Sequence, residues 1–178
     1  MYLVKIGEKN TDVEDHVRFE RVADNLLMIS IEIGGKSKEA FLNYWRLVKT
    51  VDIPPLEIGI SSIDGTICSI VFYMELTCLK KEIKGFGIGQ EKKGSVVIDT
   101  SVFKKNNDFI DIEESYNLYF NNNKLFCSFE KEAIFNQAYR NGRVMIYLVD
   151  DQVMGFAICE LSQQEILEIK SIIEVSKN

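Results

Sequence analysis

The sequence holds a single histidine and only two prolines among its 178 residues. Catalysis by a histidine would have to use His16, which lies in a polar segment without a serine or cysteine in a recognisable nucleophile setting. The Gly-x-Ser-x-Gly motif of serine hydrolases is also missing. We therefore interpret His16 as a solvated surface residue and predict no catalytic residue. The scarcity of proline and the lack of a low-complexity tract argue against a disordered chain.

Cysteine is sparse as well, and the four copies lie far apart in the sequence without a Cys-x-x-Cys pair or a nearby histidine. We interpret them as reduced core residues. Because the ligand spacings of metal and nucleotide sites are missing, the sequence predicts no metal and no other cofactor. The four residues are Cys68, Cys78, Cys127 and Cys159.

Long apolar runs and a surplus of positive charge are missing too. The longest apolar run, around residues 67–74, is too short to span a bilayer, and the first residues lack the apolar stretch of a signal peptide. Twenty-one basic residues stand against 27 acidic ones, for a formal net charge of −6. We therefore expect a cytoplasmic protein whose partner is neither a membrane nor nucleic acid. The negative net charge favours binding to a cationic partner.

Hydrophobic residues make up 46% of the chain, which is enough for a substantial core, and the length predicts one domain over residues 1–178. The stretch with the clearest secondary-structure pattern starts with two apolar runs, residues 143–149 and 153–159, separated by Asp150-Asp151. This pattern predicts an antiparallel hairpin with a tight turn.

A helix is predicted directly after this hairpin. Ser162 and Glu165 have the spacing of a capping box, and Leu161 and Ile166 have the spacing of a hydrophobic staple. Isoleucines then recur at helical intervals, which predicts one buried stripe packed on the sheet that the hairpin starts. The stripe consists of Ile166, Ile169, Ile172 and Ile173.

The remaining pattern predicts further strands and two more helices. Hairpins are expected at residues 56–77 and 116–129, and additional strands at 2–6, 26–33 and 95–99. Helices are expected from Ser37 to Val51 and from Glu130 to Tyr139, and a basic, glycine-spaced connecting loop from Lys80 to Gly94. The predicted fold class is α+β, with a mostly antiparallel sheet of sequential hairpins and two or three packed helices.

The densest group of carboxylates lies in the acidic segment, residues 108–114. The Asp-x-Asp-x-Asp-Gly pattern of calcium loops is missing there. The segment is therefore either a solvated charged loop or a recognition patch for a cationic partner. Tyr116 beside it and Trp45 on the first predicted helix are candidate aromatic contacts. The partner-binding candidates are Asp108, Asp111, Glu113, Glu114, Tyr116 and Trp45.

Three stretches, residues 56–60, 64–70 and 150–162, give the chain its resemblance to a known family. Over roughly a third of its length it resembles the immunity proteins of bacterial polymorphic and contact-dependent inhibition toxins. The resemblance implies a non-enzymatic protein that binds a cognate toxin domain and blocks its activity. Two alternatives stay open: a small cytoplasmic enzyme with a carboxylate- or lysine-based site, and a structural or regulatory homo-oligomer.

Overall fold

A computed structural model describes residues 2–10, 13–34, 41–49, 53–80, 88–105, 108–121, 123–130 and 134–175. Within these ranges the chain forms fifteen strands, one 3-10 turn and one α-helix. The strands are β1 (Lys5–Lys9), β2 (Asp15–Ala23), β3 (Leu26–Ile33), β4 (Leu42–Leu47), β5 (Leu56–Ser61), β6 (Ile67–Met74), β7 (Leu79–Lys80), β8 (Ile88–Lys93), β9 (Ser95–Ile98), β10 (Phe109–Ile112), β11 (Asn117–Asn121), β12 (Lys124–Ser128), β13 (Phe135–Asn141), β14 (Val144–Val149) and β15 (Gln152–Cys159). The 3-10 turn is Leu76–Cys78, and the helix is α1 (Gln163–Val175).

The predicted α+β fold with two or three helices is wrong. Strands account for 61% of the described residues and form three sheets, and α1 is the one α-helix in that part of the chain. The molecule is therefore a mostly β protein.

The first large sheet has six strands in the order β10-β4-β5-β6-β3-β2. All of its neighbours are antiparallel except β10, which runs parallel to β4. Side chains alternate along β3, so that Leu27, Ile29 and Ile31 are fully buried while the residues between them stay partly exposed. One face of this sheet therefore lies on the core and the other faces outward.

The second large sheet has seven strands in the order β7-β11-β12-β15-β14-β13-β8. Its centre consists of antiparallel hairpins, and its edge strands β7 and β8 are parallel to their neighbours. Asp150 and Asp151 both have positive φ, 47° and 63°, as a tight hairpin turn requires. The three predicted hairpins, β5–β6, β11–β12 and β14–β15, are confirmed.

A two-stranded ribbon of β1 and β9 links the two large sheets. On one side, Val97 bridges to Thr66 at the start of β6. On the other, Val4 bridges to Gln152 at the start of β15, and the Lys5 amide donates to the Asp151 carbonyl at 2.7 Å. The ribbon therefore contacts both sheets at once.

Both large sheets contribute to one main core. Phe72 of β6 meets Phe156 of β15 with ring centroids 5.0 Å apart. The helix adds Ile166, Ile169 and Ile172 to this core, with Ile173 half-buried beside it. The predicted capping box and buried stripe are thus confirmed, but α1 packs chiefly against β2 and β3 of the six-stranded sheet rather than on the sheet of its own hairpin.

Four segments differ from their prediction. Residues 42–47 and 135–141 are strands rather than parts of helices. Residues 88–93 are a regular strand in what was predicted as a partly extended loop, and residues 109–112 of the acidic segment are a strand rather than a charged loop. In residues 41–48 the apolar side chains fit both a helical and a two-residue period, and aromatic residues favour strands. Parts of these predictions, at residues 37–40, 50–51, 81–87 and 131–133, lie outside the described residues.

Candidate interaction surface

The outer face of the six-stranded sheet is built from residues that alternate with the core residues on its strands. Their Cα pairings place them in rows that cross the sheet. The outer face includes His16, Arg18 and Glu20 on β2; Met28, Ser30 and Glu32 on β3; Leu42, Tyr44 and Arg46 on β4; Glu57 on β5; Ser69, Val71 and Tyr73 on β6; and Phe109 and Asp111 on β10.

One row of the outer face holds an ordered ion pair. Asp111 lies opposite Arg46, which lies opposite Glu57 on the next strand. The Arg46 guanidinium donates from Nε and Nη2 to the two Asp111 carboxylate oxygens at 2.6 and 2.8 Å, and these hydrogen bonds raise the pKa of Arg46. Its carbon Cζ lies 4.3 Å from the centroid of the Phe109 ring. Asp111 is therefore already paired, and the pair fixes the position of an exposed aromatic ring.

Two other carboxylates of the acidic segment have local partners of their own. Asp108 accepts a hydrogen bond from the Lys104 amide at 2.9 Å, and this bond lowers its pKa. Glu114 accepts from the Tyr2 hydroxyl at 2.9 Å, and burial together with this carboxylate raises the pKa of Tyr2 to about 12. Glu113 is exposed. Asp108, Asp111 and Glu114 therefore each have a separate local partner.

The two aromatic candidates lie inside the molecule. Trp45 is 1% exposed, with its ring centroid 5.4 Å from that of Phe129. Tyr116 is 3% exposed; its hydroxyl donates to the Tyr73 carbonyl at 2.6 Å and accepts from the Tyr73 amide at 3.3 Å, and burial raises its pKa. Buried side chains offer no surface to a partner. The strand alternation turns Tyr44, the neighbour of Trp45, to the outer face instead.

A second group of carboxylates, which sequence reasoning missed, lies on the outer face. Burial and the charges of Glu57 and Glu20 raise the pKa of Tyr73, which places both carboxylates near this ring. Glu32 follows on β3. The signal was present in the sequence, because Glu32 and Glu57 stand between buried apolar residues of strands that were themselves predicted.

Carboxylates outnumber guanidinium groups among the described residues of the outer face. Its carboxylates are Glu20, Glu32, Glu57 and Asp111, and its guanidinium groups are Arg18 and Arg46. The aromatic side chains among them are Tyr44, Tyr73 and Phe109, the last of which is 59% exposed. Chemically, this surface can offer flat aromatic contacts and attract a cationic molecule.

The described part of the chain contains no group of three or more His, Cys, Asp and Glu side chains placed to hold a metal ion. Its helix is not long and apolar enough to cross a membrane.

No protein-family model matches this chain, and no curated protein is significantly similar to it. The likeness to toxin immunity proteins therefore rests on the sequence patterns alone.

Proposed function

We propose that this protein is a non-enzymatic binding protein whose outer face binds a cationic partner protein. The observation that carries the proposal is the excess of carboxylates around aromatic rings on one face of the six-stranded sheet. Aromatic side chains are enriched at protein interfaces because they supply large contact areas at little cost in conformational entropy. Surrounding charges of one sign speed the encounter with an oppositely charged partner.

The partner we propose is a cognate bacterial toxin domain, which the protein binds and neutralises as an immunity protein in the cytoplasm. The support is the sequence resemblance, the net charge of −6 and the acidic outer face. A toxin domain that acts on nucleic acids would need a cationic binding surface, and an acidic sheet face is complementary to such a surface. Binding there would exclude the toxin's substrate.

The test begins with identification of the partner by co-purification with the product of the neighbouring gene. Association rates are then measured at low and high salt for the wild type and for a variant with Glu20→Lys and Glu57→Lys. The matched control carries Glu130→Lys and Glu174→Lys, two exposed positions away from the outer face. Both variants change the net charge equally, so any difference between them reports the location of the interface.

We expect the outer-face variant to associate more slowly than the control at low salt. The difference should shrink at high salt, because exposed charges are screened over about 10 Å at 0.1 M. A third variant, Asp108→Lys with Glu113→Lys, tests the acidic segment separately. Equal rates for the outer-face and control variants, or a partner whose contact surface is acidic, would contradict the proposal.

A further inference from the structure

The edge strand β2 presents one side of its backbone without a strand partner. It ends the six-stranded sheet and pairs with β3 on one side, and no described strand pairs with its other side. At nine residues it is the longest of the four strands that form the edges of the two large sheets. Its residues from Glu20 to Ala23 are all exposed. An exposed edge of this length is a template for pairing with another strand.

The hydrogen-bonding pattern shows which residues of β2 face this open edge. The Gly34 amide donates to the Glu14 carbonyl at 2.9 Å, and the β2–β3 register continues from this pair. Hydrogen-bonded and non-hydrogen-bonded pairs alternate between antiparallel strands, so the even-numbered residues of β2 direct their amides and carbonyls to β3. The odd-numbered residues direct theirs to the open edge, where no described residue forms a hydrogen bond with them. These are Val17, Phe19 and Arg21.

The side chains beside these backbone groups carry opposite charges. Arg18 and Glu20 lie two residues apart on the outer face, and both are exposed. Neither forms an ion pair with another residue in the part of the chain that the structure describes. Phe19 between them turns to the inner face, where it packs half-buried against the main core. The centre of the open edge is therefore apolar on one face and charged with both signs on the other.

We propose that β2 pairs antiparallel with β2 of a second copy of this chain, about a two-fold axis at Phe19. The two six-stranded sheets then join edge to edge into one continuous sheet. In this register Phe19 faces its own copy and Val17 faces Arg21 of the second copy, so open backbone groups meet open backbone groups. Arg18 of each copy stands opposite Glu20 of the other. These two pairs are of the non-hydrogen-bonded kind, in which facing side chains come closest.

The charges select this register over its neighbours. Open backbone groups meet only when odd-numbered residues face odd-numbered residues, so the two-fold axis can move only in steps of one residue along β2. An axis at Arg18 would set Arg18 against its own copy, and an axis at Glu20 would do the same for Glu20. Both place like charges directly opposite each other, which is destabilising. The two-fold symmetry also closes the assembly at two copies.

Sedimentation equilibrium of the purified protein alone tests this dimer, so the result does not depend on the proposed toxin partner. We expect a mass that rises with concentration and levels off at two chains. Arg18→Glu and Glu20→Arg each replace two attractive pairs with two repulsive ones, and each should raise the dimer dissociation constant roughly tenfold or more. The matched controls, Lys105→Glu and Glu130→Arg, make the same charge changes at exposed positions away from β2 and should leave it unchanged.

Combining the two substitutions tests the register itself. The double variant, Arg18→Glu with Glu20→Arg, sets opposite charges against each other again only when the axis lies at Phe19. It should therefore recover the dissociation constant of the wild type. An equimolar mixture of the two single variants should form mixed dimers more tightly than either variant pairs with itself, because each contributes the charge that the other lacks.

Amide hydrogen exchange of the wild type reads the backbone pairing without any substitution. The amides of Val17 and Phe19 should become protected as the protein concentration rises, whereas those of Arg18 and Glu20 already bond to β3 and should change little. A wild type that stays monomeric up to millimolar concentration would overturn the proposal. So would a dimer that the single variants do not weaken, or a double variant that fails to recover it.

Discussion

At the scale of the single residue, the hydroxyl of Tyr116 makes the two backbone hydrogen bonds of Tyr73 that a neighbouring strand would otherwise make. The pairing between β5 and β6 ends at Glu57 opposite Val71, two residues before Tyr73 on β6. On the other strand, Pro55 directly precedes β5. A proline has no amide hydrogen to give to a neighbouring strand. Tyr116 instead contacts both the amide and the carbonyl of Tyr73. One side chain therefore makes hydrogen bonds with two backbone groups where the β5–β6 pairing ends.

Replacing Tyr116 with Phe should lower the free energy of unfolding by about 1–3 kcal/mol, because it leaves two partly buried backbone groups of Tyr73 without their partner. The measurement is urea denaturation. Tyr44→Phe is the control, since that hydroxyl belongs to a partly exposed side chain and its loss should change stability by less than about 0.5 kcal/mol. Equal losses in the two variants would show that the Tyr116 contacts do not stabilise the sheet.

The placement of single aromatic residues shows where sequence reasoning fails. Tyr44 and Trp45 are adjacent, and either a helix or a strand would turn them in different directions. Which of them faces the core depends on the pairing of β4 with β5 and β10, whose residues lie up to 65 positions away in sequence. The sequence could identify Trp45 as a candidate contact but could not show that it is buried.

At the scale of the element, the best predicted feature is the start of α1. The Ser162 amide donates to the Glu165 carboxylate at 2.8 Å, and the Glu165 amide donates to Ser162 Oγ at 3.3 Å. These contacts span only three residues, so the sequence pattern determines them directly. The partner surface of the helix was predicted wrongly, because β2 and β3 lie more than 100 residues earlier in the chain.

Replacing Ile169 with Asp should cost several kcal/mol of stability, because it places a charge where the side chain is fully buried. Leu167→Asp provides the matched control on the same helix, since Leu167 is 60% exposed and should tolerate the change. Thermal melts of the two variants measure the difference. An unchanged melting temperature for Ile169→Asp would refute the packing of α1.

Glu165 should make the helix start sensitive to acid. Burial alone would raise its pKa, but the hydrogen bonds from Arg143 at 2.7 and 2.8 Å and from Ser162 outweigh burial and lower it below 4.5. A carboxylate with a lowered pKa in the folded state stabilises the fold above its unfolded pKa, and this contribution is lost as the pH falls through the folded value.

We therefore expect Glu165→Gln to melt at a lower temperature than the wild type at pH 7. The difference should begin to shrink below about pH 4.5, near the unfolded pKa of glutamate, and should be lost as the pH falls through the lower pKa of the folded carboxylate. Comparing the two proteins cancels the acid response of the other carboxylates. A difference that stays constant from pH 7 to acid would contradict this role for the charge.

At the scale of the whole molecule, three strand pairs are parallel and join distant segments: β10 with β4, β11 with β7, and β13 with β8. Local turn signals predict hairpins, and all three predicted hairpins formed. Parallel pairs have no such signal, because their strands are joined by long connections. The sequence therefore predicted the hairpins but not the division into three sheets.

The same topology should make folding slow. Forming sequence-distant pairs costs loop-closure entropy before the contacts that offset it exist. We expect refolding on the order of milliseconds to seconds or slower, as measured by stopped-flow fluorescence of Trp45 in the core. Complete refolding in less than a millisecond would contradict this topology.

The ribbon contact at residues 3–5 also has a consequence for synthesis. The Val153 amide donates to the Leu3 carbonyl at 2.9 Å, and the Lys5 amide donates to the Asp151 carbonyl at 2.7 Å. At ribosomal elongation rates, the earlier residues wait on the order of ten seconds before these partners are made. During that interval the nascent chain carries unpaired strand edges that a chaperone can bind. Residues 3–5 can therefore form these hydrogen bonds only after the β14–β15 hairpin has left the ribosome.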